Sequence, residues 1–263
     1  MIGRIWNAYT VEMFKALRLK QTYLGPALVL AVVLCSPLLH PLRRDGMSDY
    51  GFVAYITPLA LGFLGFLMLL TYCSGLVSSE LSSGSIRAAL VRPLKRHEYL
   101  LAKLLLGMTY AALLTAITAA GSWAVAYALG ELAGVTFGGE LIYTREQMRT
   151  AYALGVLLSL LPQFAGVAFA LMVSVSTRSP AAAVGNTLGL WILLDLLKNP
   201  LHLEKLVFTS YLESPFQVFV NRCDAMETAW FPMTWYCLGA SLSAWALFTG
   251  MAMLLLHRRN LTA

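Results

Sequence analysis

Six uninterrupted apolar stretches set the terms for this chain, because a helix needs roughly 20 apolar residues to cross the hydrocarbon core of a bilayer. They lie at about Tyr23–Leu42, Phe52–Val77, Leu104–Leu129, Ala151–Val175, Ala181–Leu197 and Trp235–Leu256. The fourth contains Pro162 followed by Gln163, and the fifth begins after Pro180. Membrane helices tolerate both, since neighbouring helices satisfy the backbone groups a proline frees. Composition agrees: 59% of the 263 residues are apolar and 12% charged, with a mean hydropathy of +0.69. A water-soluble domain carries about 25% charged residues, so this chain has too little polar surface for one. The expectation is an all-α membrane protein in which residues 1–263 form a single transmembrane domain, with no room for a separate soluble catalytic domain.

A net charge of +6 would suggest nucleic acid in a soluble protein. Here the basic residues sit in the gaps between apolar runs, so no nucleic-acid partner is expected. The four cysteines include no Cys-x-x-Cys pair and three lie inside apolar runs, so neither a disulfide framework nor a zinc site is expected. The first apolar run follows more than twenty residues of another character and lacks a small-residue cleavage pattern. It reads as an uncleaved span and not as a signal peptide. Leu34 before Cys35 is too large for cleavage ahead of a lipidated cysteine.

Six spans place both termini on one side. The segments on that side, 1–21, 78–103, 176–180 and 257–263, hold twelve of the nineteen Lys and Arg. The positive-inside rule then puts both termini in the cytoplasm, and the expected location is the inner, cytoplasmic membrane of the cell.

Residues 1–21 are too polar to span. Ile2, Ile5, Trp6, Tyr9, Met13, Ala16 and Leu17 recur at steps of three and four, while Arg4, Asn7, Lys15 and Arg18 take the opposite arc. This predicts an interfacial helix in the headgroup plane, with Trp6, Lys15 and Arg18 as its membrane-interface residues. It serves either as a simple anchor for the first span or as a docking element.

The segment between the second and third spans, residues 80–103, is the most informative. Ser82 or Ser83 can cap a short helix through Ile86–Val91, Pro93 ends it, and a new helix starts near Lys95 and enters the membrane. A helix–break–helix thus protrudes, with a small apolar face of Ile86, Ala89 and Leu90 beside Arg87 and Arg92. Such a face fills a groove on another protein, or else the segment is a solvated basic loop. With an interfacial helix ahead of six spans, the pattern Glu80, Gly84, Ile86, Arg87, Pro93, Arg96 and Lys103 resembles the permease subunits of ABC-2 type ATP-binding cassette exporters. That resemblance implies that residues 80–98 form a coupling helix seated in a cleft of a separate ATPase subunit. It implies contact through Gly84 to Val91, with Leu90 on the contacting face and Glu80 and Arg96 bracing the helix. Lys103 would mark the membrane boundary of the third span and snorkel to the headgroups.

No Gly-x-x-x-x-Gly-Lys-[Ser/Thr] phosphate loop occurs, so this chain has no ATP-hydrolysing site of that kind and no catalytic residue is assigned. The resemblance implies two copies of a partner ATPase, which would hold ATP and Mg, and a second permease, either another copy or a homologue. No cofactor or metal is expected on this chain itself.

Residues 198–234 are rich in leucine and aromatic side chains and broken by Pro200, Pro215 and Pro232. Two short helices dipping into the outer interface suit that composition, and the resemblance implies a re-entrant outer hairpin that closes an exit. An aromatic interfacial belt suits it equally. Within the spans, Tyr72, Gln163 and Asn186 are the polar residues proposed to line a substrate path, with Thr71 and Ser74 near the first of them. Gln163 could instead satisfy a carbonyl freed by Pro162, and Asp195 is placed to pair with Lys198 three residues on. The cargo expected from this lining is hydrophobic or amphipathic. His40, His97, His202 and His257 all lie at or beyond span ends, which excludes a membrane hydrolase or a haem carrier built on histidines within helices. A membrane scaffold that transports nothing, or a subunit that only transmits force, is the alternative to an exporter.

Overall fold

The computed structural model describes residues 2–38, 42, 49–85 and 95–258. An N-terminal helix, Ile2–Arg18, is followed by six helices long and apolar enough to span: Lys20–Leu38, Tyr50–Ser82, Arg96–Leu129, Arg145–Ser176, Pro180–Leu197 and Met233–Arg258. We refer to these six as the first to sixth spans. All six sequence-derived spans are therefore present, and among the described residues the fold is all-α apart from one two-stranded hairpin, β1 (Val135–Phe137) and β2 (Glu140–Tyr143).

Helix lengths differ from the apolar stretches in a consistent way. The second, third and fourth spans run to 33, 34 and 32 residues. Each is about 50 Å long at 1.5 Å per residue, well beyond the roughly 30 Å hydrocarbon core. The extra turns carry charge and project past the membrane: the third span starts at Arg96, eight residues before the apolar run, and the fourth at Arg145. Local caps explain both starts. The Lys95 backbone N–H donates to the Glu98 carboxylate at 3.0 Å, and at the fourth span the Gln147 N–H donates to the Thr144 hydroxyl. In the second span Pro58 removes an N–H from the ladder, and Leu59–Gly65 continue as a wide π-helical stretch.

These three long helices form the core, while the first, fifth and sixth spans lie around it. Tails of lipid are as apolar as leucine, so close packing and hydrogen bonds between helices must hold the core together. Both are present. A Cβ on Gly166 would stand 2.4 Å from Phe66 Cε2, and one on Gly107 would stand 2.5 Å from Val167 Cγ1. Thr57 of the second span lies 3.1 Å from both Ser122 of the third and Tyr152 of the fourth, hydroxyl to hydroxyl. Ser174 of the fourth span accepts from the backbone N–H groups of Val77 and Ser78 in the second.

At the end away from the termini, Asp49 ties the second span to the third. Its carboxylate accepts from the Glu131 N–H at 2.6 Å, and its own N–H donates to the Glu131 carbonyl. Residues 198–234 hold two short helices. One 3-10 turn, Phe208–Tyr211, and one α-helix, Ser214–Cys223, are formed, joined by turns. Phe216 and Phe219 of that helix are buried against Tyr152, and Phe208 is buried against Phe66 and Phe169, whereas Leu206 and Phe231 are exposed. The aromatic content therefore divides between core and surface. Asp195 and Lys198 pair at 2.5 Å, as their spacing suggests.

Gly166→Ala should lower the stability of the bundle by about 1–3 kcal/mol, the usual cost of overpacking a filled interface. Gly250→Ala, where a Cβ meets nothing within 4 Å, should change it by less than about 0.5 kcal/mol. Thermal unfolding of the two variants in one detergent compares them directly.

Candidate functional site

The N-terminal helix packs on the third span through a face that includes an acid. Glu12 and Ala16 are buried, Ile5, Tyr9 and Met13 are half-buried, and Trp6, Phe14 and Leu17 are exposed. The helix is amphipathic as expected. Trp6 and Arg18 are exposed, with Trp6 against the Tyr9 ring at 5.3 Å. Glu12 is the one acidic residue before Asp45 in the sequence, and it falls on the same arc as Tyr9 and Ala16. A lone acid on the packing arc of a basic helix is the signal that could have marked it.

What Glu12 meets is Lys103. The Lys103 side chain is 3% exposed and its ammonium bonds the Glu12 carboxylate and, at 2.7 Å, Glu80 Oε1. The expected snorkelling of Lys103 to headgroups is thus corrected: two turns inside the third span, two carboxylates draw it inward. Glu80 Oε2 accepts from the Tyr99 hydroxyl at 2.6 Å, one helical turn before Lys103. Lys15 completes the cluster, 2.7 Å from Glu12 Oε1 and 3.5 Å from Glu80 Oε1, with half of its side chain exposed. Burial pulls the Lys15 ammonium down, but its hydrogen bond to Glu12 and the charge of Glu80 outweigh that and raise it above the ordinary lysine value. It stays charged through the whole physiological range.

The other residues of the 80–103 segment divide by location. Ser82 and Ser83 close the second span, and the Ser82 hydroxyl donates to the Ser79 carbonyl at 2.9 Å; the short helix expected at Ile86–Val91 lies outside the described residues. Gly84 then takes φ of +71°, the left-handed conformation that ends helices and suits glycine. Arg96 reaches the far end of the chain, its Nη1 donating to the carbonyls of Leu256 and His257 at 2.9 and 2.8 Å. A cation at the C-terminus of the sixth span satisfies carbonyls that have no partner in the helix. These contacts place the N-terminal helix, the end of the second span, the start of the third and the end of the sixth at one face of the bundle. Ile86, Arg87, Leu90 and Pro93, the expected partner-contact residues, lie outside the described residues.

Above the charge cluster a cavity of about 540 Å³ runs along the second span between the first, third and fifth spans. Glu12, Lys15, Glu80 and Lys103 line its base, and Thr71, Tyr72 and Tyr110 line its middle. Tyr72 stacks on Tyr110 at 4.0 Å between ring centres. Gly25 lets the first span approach: a Cβ there would lie 2.3 Å from the Tyr110 hydroxyl oxygen. Of the three proposed path residues, Tyr72 therefore faces this cavity. Asn186 is exposed on the fifth span and lines a separate groove of about 470 Å³ beside the fourth and sixth. Gln163 is buried in the core and accepts from the Thr115 hydroxyl at 3.1 Å, a link from fourth to third span and not to Pro162.

Among the described residues no cluster of three or more His, Cys, Asp or Glu could hold a metal ion. The cluster joins two carboxylates to two ammonium groups in mutual satisfaction, which suits a structural platform beneath a cavity. A family model for ABC-2 family transporter proteins matches residues 8–258. The chain belongs to the ABC-2 transporter family. It is a multi-pass membrane permease of an ATP-binding cassette transporter. Permeases of this family are typically the non-catalytic membrane component and work with a separate ATP-binding cassette ATPase subunit. No curated protein matches the chain.

In this permease Lys103→Met leaves the buried Glu12 and the partly buried Glu80 sharing the half-exposed Lys15 and should cost about 3–5 kcal/mol. Lys15→Met removes a half-exposed cation and should cost less than about 1 kcal/mol. The triple variant Glu12→Gln, Glu80→Gln, Lys103→Met should regain most of the loss. Denaturation in detergent ranks the three.

Proposed function

We propose that this permease is the membrane subunit of an exporter, with its termini and its charged platform on the cytoplasmic side of the inner membrane. A separate ATPase supplies the energy, holding ATP and Mg, and docks on the segment between Ser85 and Lys95. The observation that carries this reading is the platform itself. Glu80 and Lys103, which flank that segment, are locked to each other and to the N-terminal helix, so a push on the segment moves the second and third spans together. Force applied at the loop is thereby delivered to the core helices that wall the cavity. The basic bias of the same face supports its cytoplasmic placement.

Two permeases, identical or homologous, complete the transporter with two ATPase copies in this reading. ATP-driven closure of the motors draws the two docking segments together and rocks the bundles, opening a path past the second and fifth spans toward residues 198–234. The fifth span fits such a role because 11% of it is buried within the chain, leaving its apolar surface for a neighbour or a passing substrate. The cargo is hydrophobic or amphipathic, in keeping with the apolar walls of the cavity.

The test is affinity purification of the tagged chain in mild detergent, followed by mass spectrometry of the co-purifying proteins. Replacing Ile86 and Arg87 together by Asp should reduce recovery of the ATPase by at least about tenfold, as loss of interface hot spots does, while insertion and melting temperature stay unchanged. Undiminished ATPase recovery would overturn the docking assignment. Recovery of the wild-type chain folded and alone would favour a scaffold that transports nothing.

A further inference from the structure

The cavity is polar at one end and apolar along its length. From Ser79 to Met68 it follows the second span for eleven residues, about 16 Å. Leu24, Met68, Leu76, Leu106 and Val184 wall its length, and the charge cluster forms its base. This division matches one headgroup and one acyl chain.

The sign of the headgroup follows from which hydrogen-bonding groups are already used. Every carboxylate oxygen in the cluster has a donor: Glu12 takes Lys15 and Lys103, and Glu80 takes Lys103 and the Tyr99 hydroxyl. The two negative charges are matched by two ammonium groups within the cluster, while Lys15, with three N–H groups, one strong carboxylate contact and a second at 3.5 Å, keeps a donor to spare. Leu19, which lines the cavity, stands between the exposed Arg18 and Lys20, and the exposed Arg178 precedes the lining Pro180 by two residues. Of the basic residues that line the cavity, Lys15 has half of its side chain exposed while Lys103 is buried, so Lys15 is the cation open to a ligand.

Gly75 keeps the space open. It lines the cavity, and a Cβ there meets nothing within 4 Å, so a larger side chain at this position starts without a clash and takes up cavity space.

We propose that this cavity binds an anionic phospholipid, its phosphate against Lys15 and one acyl chain lying along the second span as far as the Tyr72–Tyr110 stack. As the identity of the exported substrate class, this rests on the exporter reading; as a binding site it stands without it and is tested in the absence of any ATPase. The first and fifth spans flank the cavity and are the least buried along with the sixth, 28% and 11% of their length being covered, which gives a lipid a sideways route from the leaflet.

The experiment uses the full chain, delipidated in detergent and incubated with equimolar phosphatidylglycerol and phosphatidylcholine of identical acyl chains. Native mass spectrometry then reads the lipid retained. One phosphatidylglycerol per chain is expected, preferred over phosphatidylcholine by about fivefold or more, the worth of one lysine at a membrane surface. Lys15→Gln should reduce that preference by about fivefold. Gly75→Leu should abolish the adduct at an unchanged melting temperature; if the melting temperature falls, Lys15→Gln, which leaves the apolar wall intact, decides alone. Equal retention of the two lipids, or a preference untouched by Lys15→Gln, would overturn the proposal. So would displacement of the lipid by equimolar glycerol phosphate, which would make the site one for a soluble anion. A negative result here leaves ATPase docking untouched, and loss of docking leaves the lipid adduct untouched.

Discussion

Lys103 lies inside the third span with almost no access to solvent, and the placement of several other elements follows from that. An unpaired ammonium in a low-dielectric interior costs several kcal/mol, so carboxylates must come to it. They come from two different helices, Glu12 on the N-terminal helix and Glu80 near the end of the second span. The N-terminal helix is thereby held against the bundle at one position, and is more than a strip of amphipathic surface resting in the headgroups. The same contacts floor the cavity and join the two stems of the segment that faces the ATPase in the proposed assembly.

Above this platform, the division of labour among the spans follows from how each buries its surface. The second, third and fourth carry the glycines and hydroxyls that allow close approach and interhelical bonding, such as Gly107, Gly166, Thr57, Ser122 and Ser174. The first, fifth and sixth present leucines and aromatics outward, among them Leu24, Leu193, Leu196 and Leu254. A helix with little of its surface covered can shift against the core at low cost, and the cavity is bounded by two of these. The charged platform therefore joins the N-terminal helix to two of the core spans, and two of the less covered spans flank the cavity.

Several details were legible residue by residue. The positions of the six spans, the amphipathic N-terminal helix and the Asp195–Lys198 pair could all be read from periodicity and spacing. Helix ends were less legible. Arg96 and Arg145 begin helices well before the apolar runs because a capped helix continues into water as readily as it crosses lipid. The second span runs through to Ser82, and Gly84 takes the terminating role. Residues 198–234 looked uniform by composition, whereas burial separates Phe208, Phe216 and Phe219 from Leu206 and Phe231. The short hairpin β1–β2 had no apolar alternation strong enough to announce it.

By itself the sequence determined that this chain lives in a bilayer, crosses it six times and belongs with ABC-2 permeases, because hydrocarbon imposes one requirement on every residue of a span and a local run of side chains either meets it or does not. Only the tertiary structure decided which polar residues meet. Glu12, Glu80, Tyr99 and Lys103 are far apart along the chain or separated by a loop, and nothing local distinguishes Lys103 paired inward from Lys103 reaching for lipid phosphates. Tyr72 faces a cavity while Gln163 faces Thr115, although both are single polar residues in apolar helices. That choice depends on helix rotation, which is set by close packing at glycines and by the partners on neighbouring spans, and pairwise contacts of this kind exist only once the helices have come together.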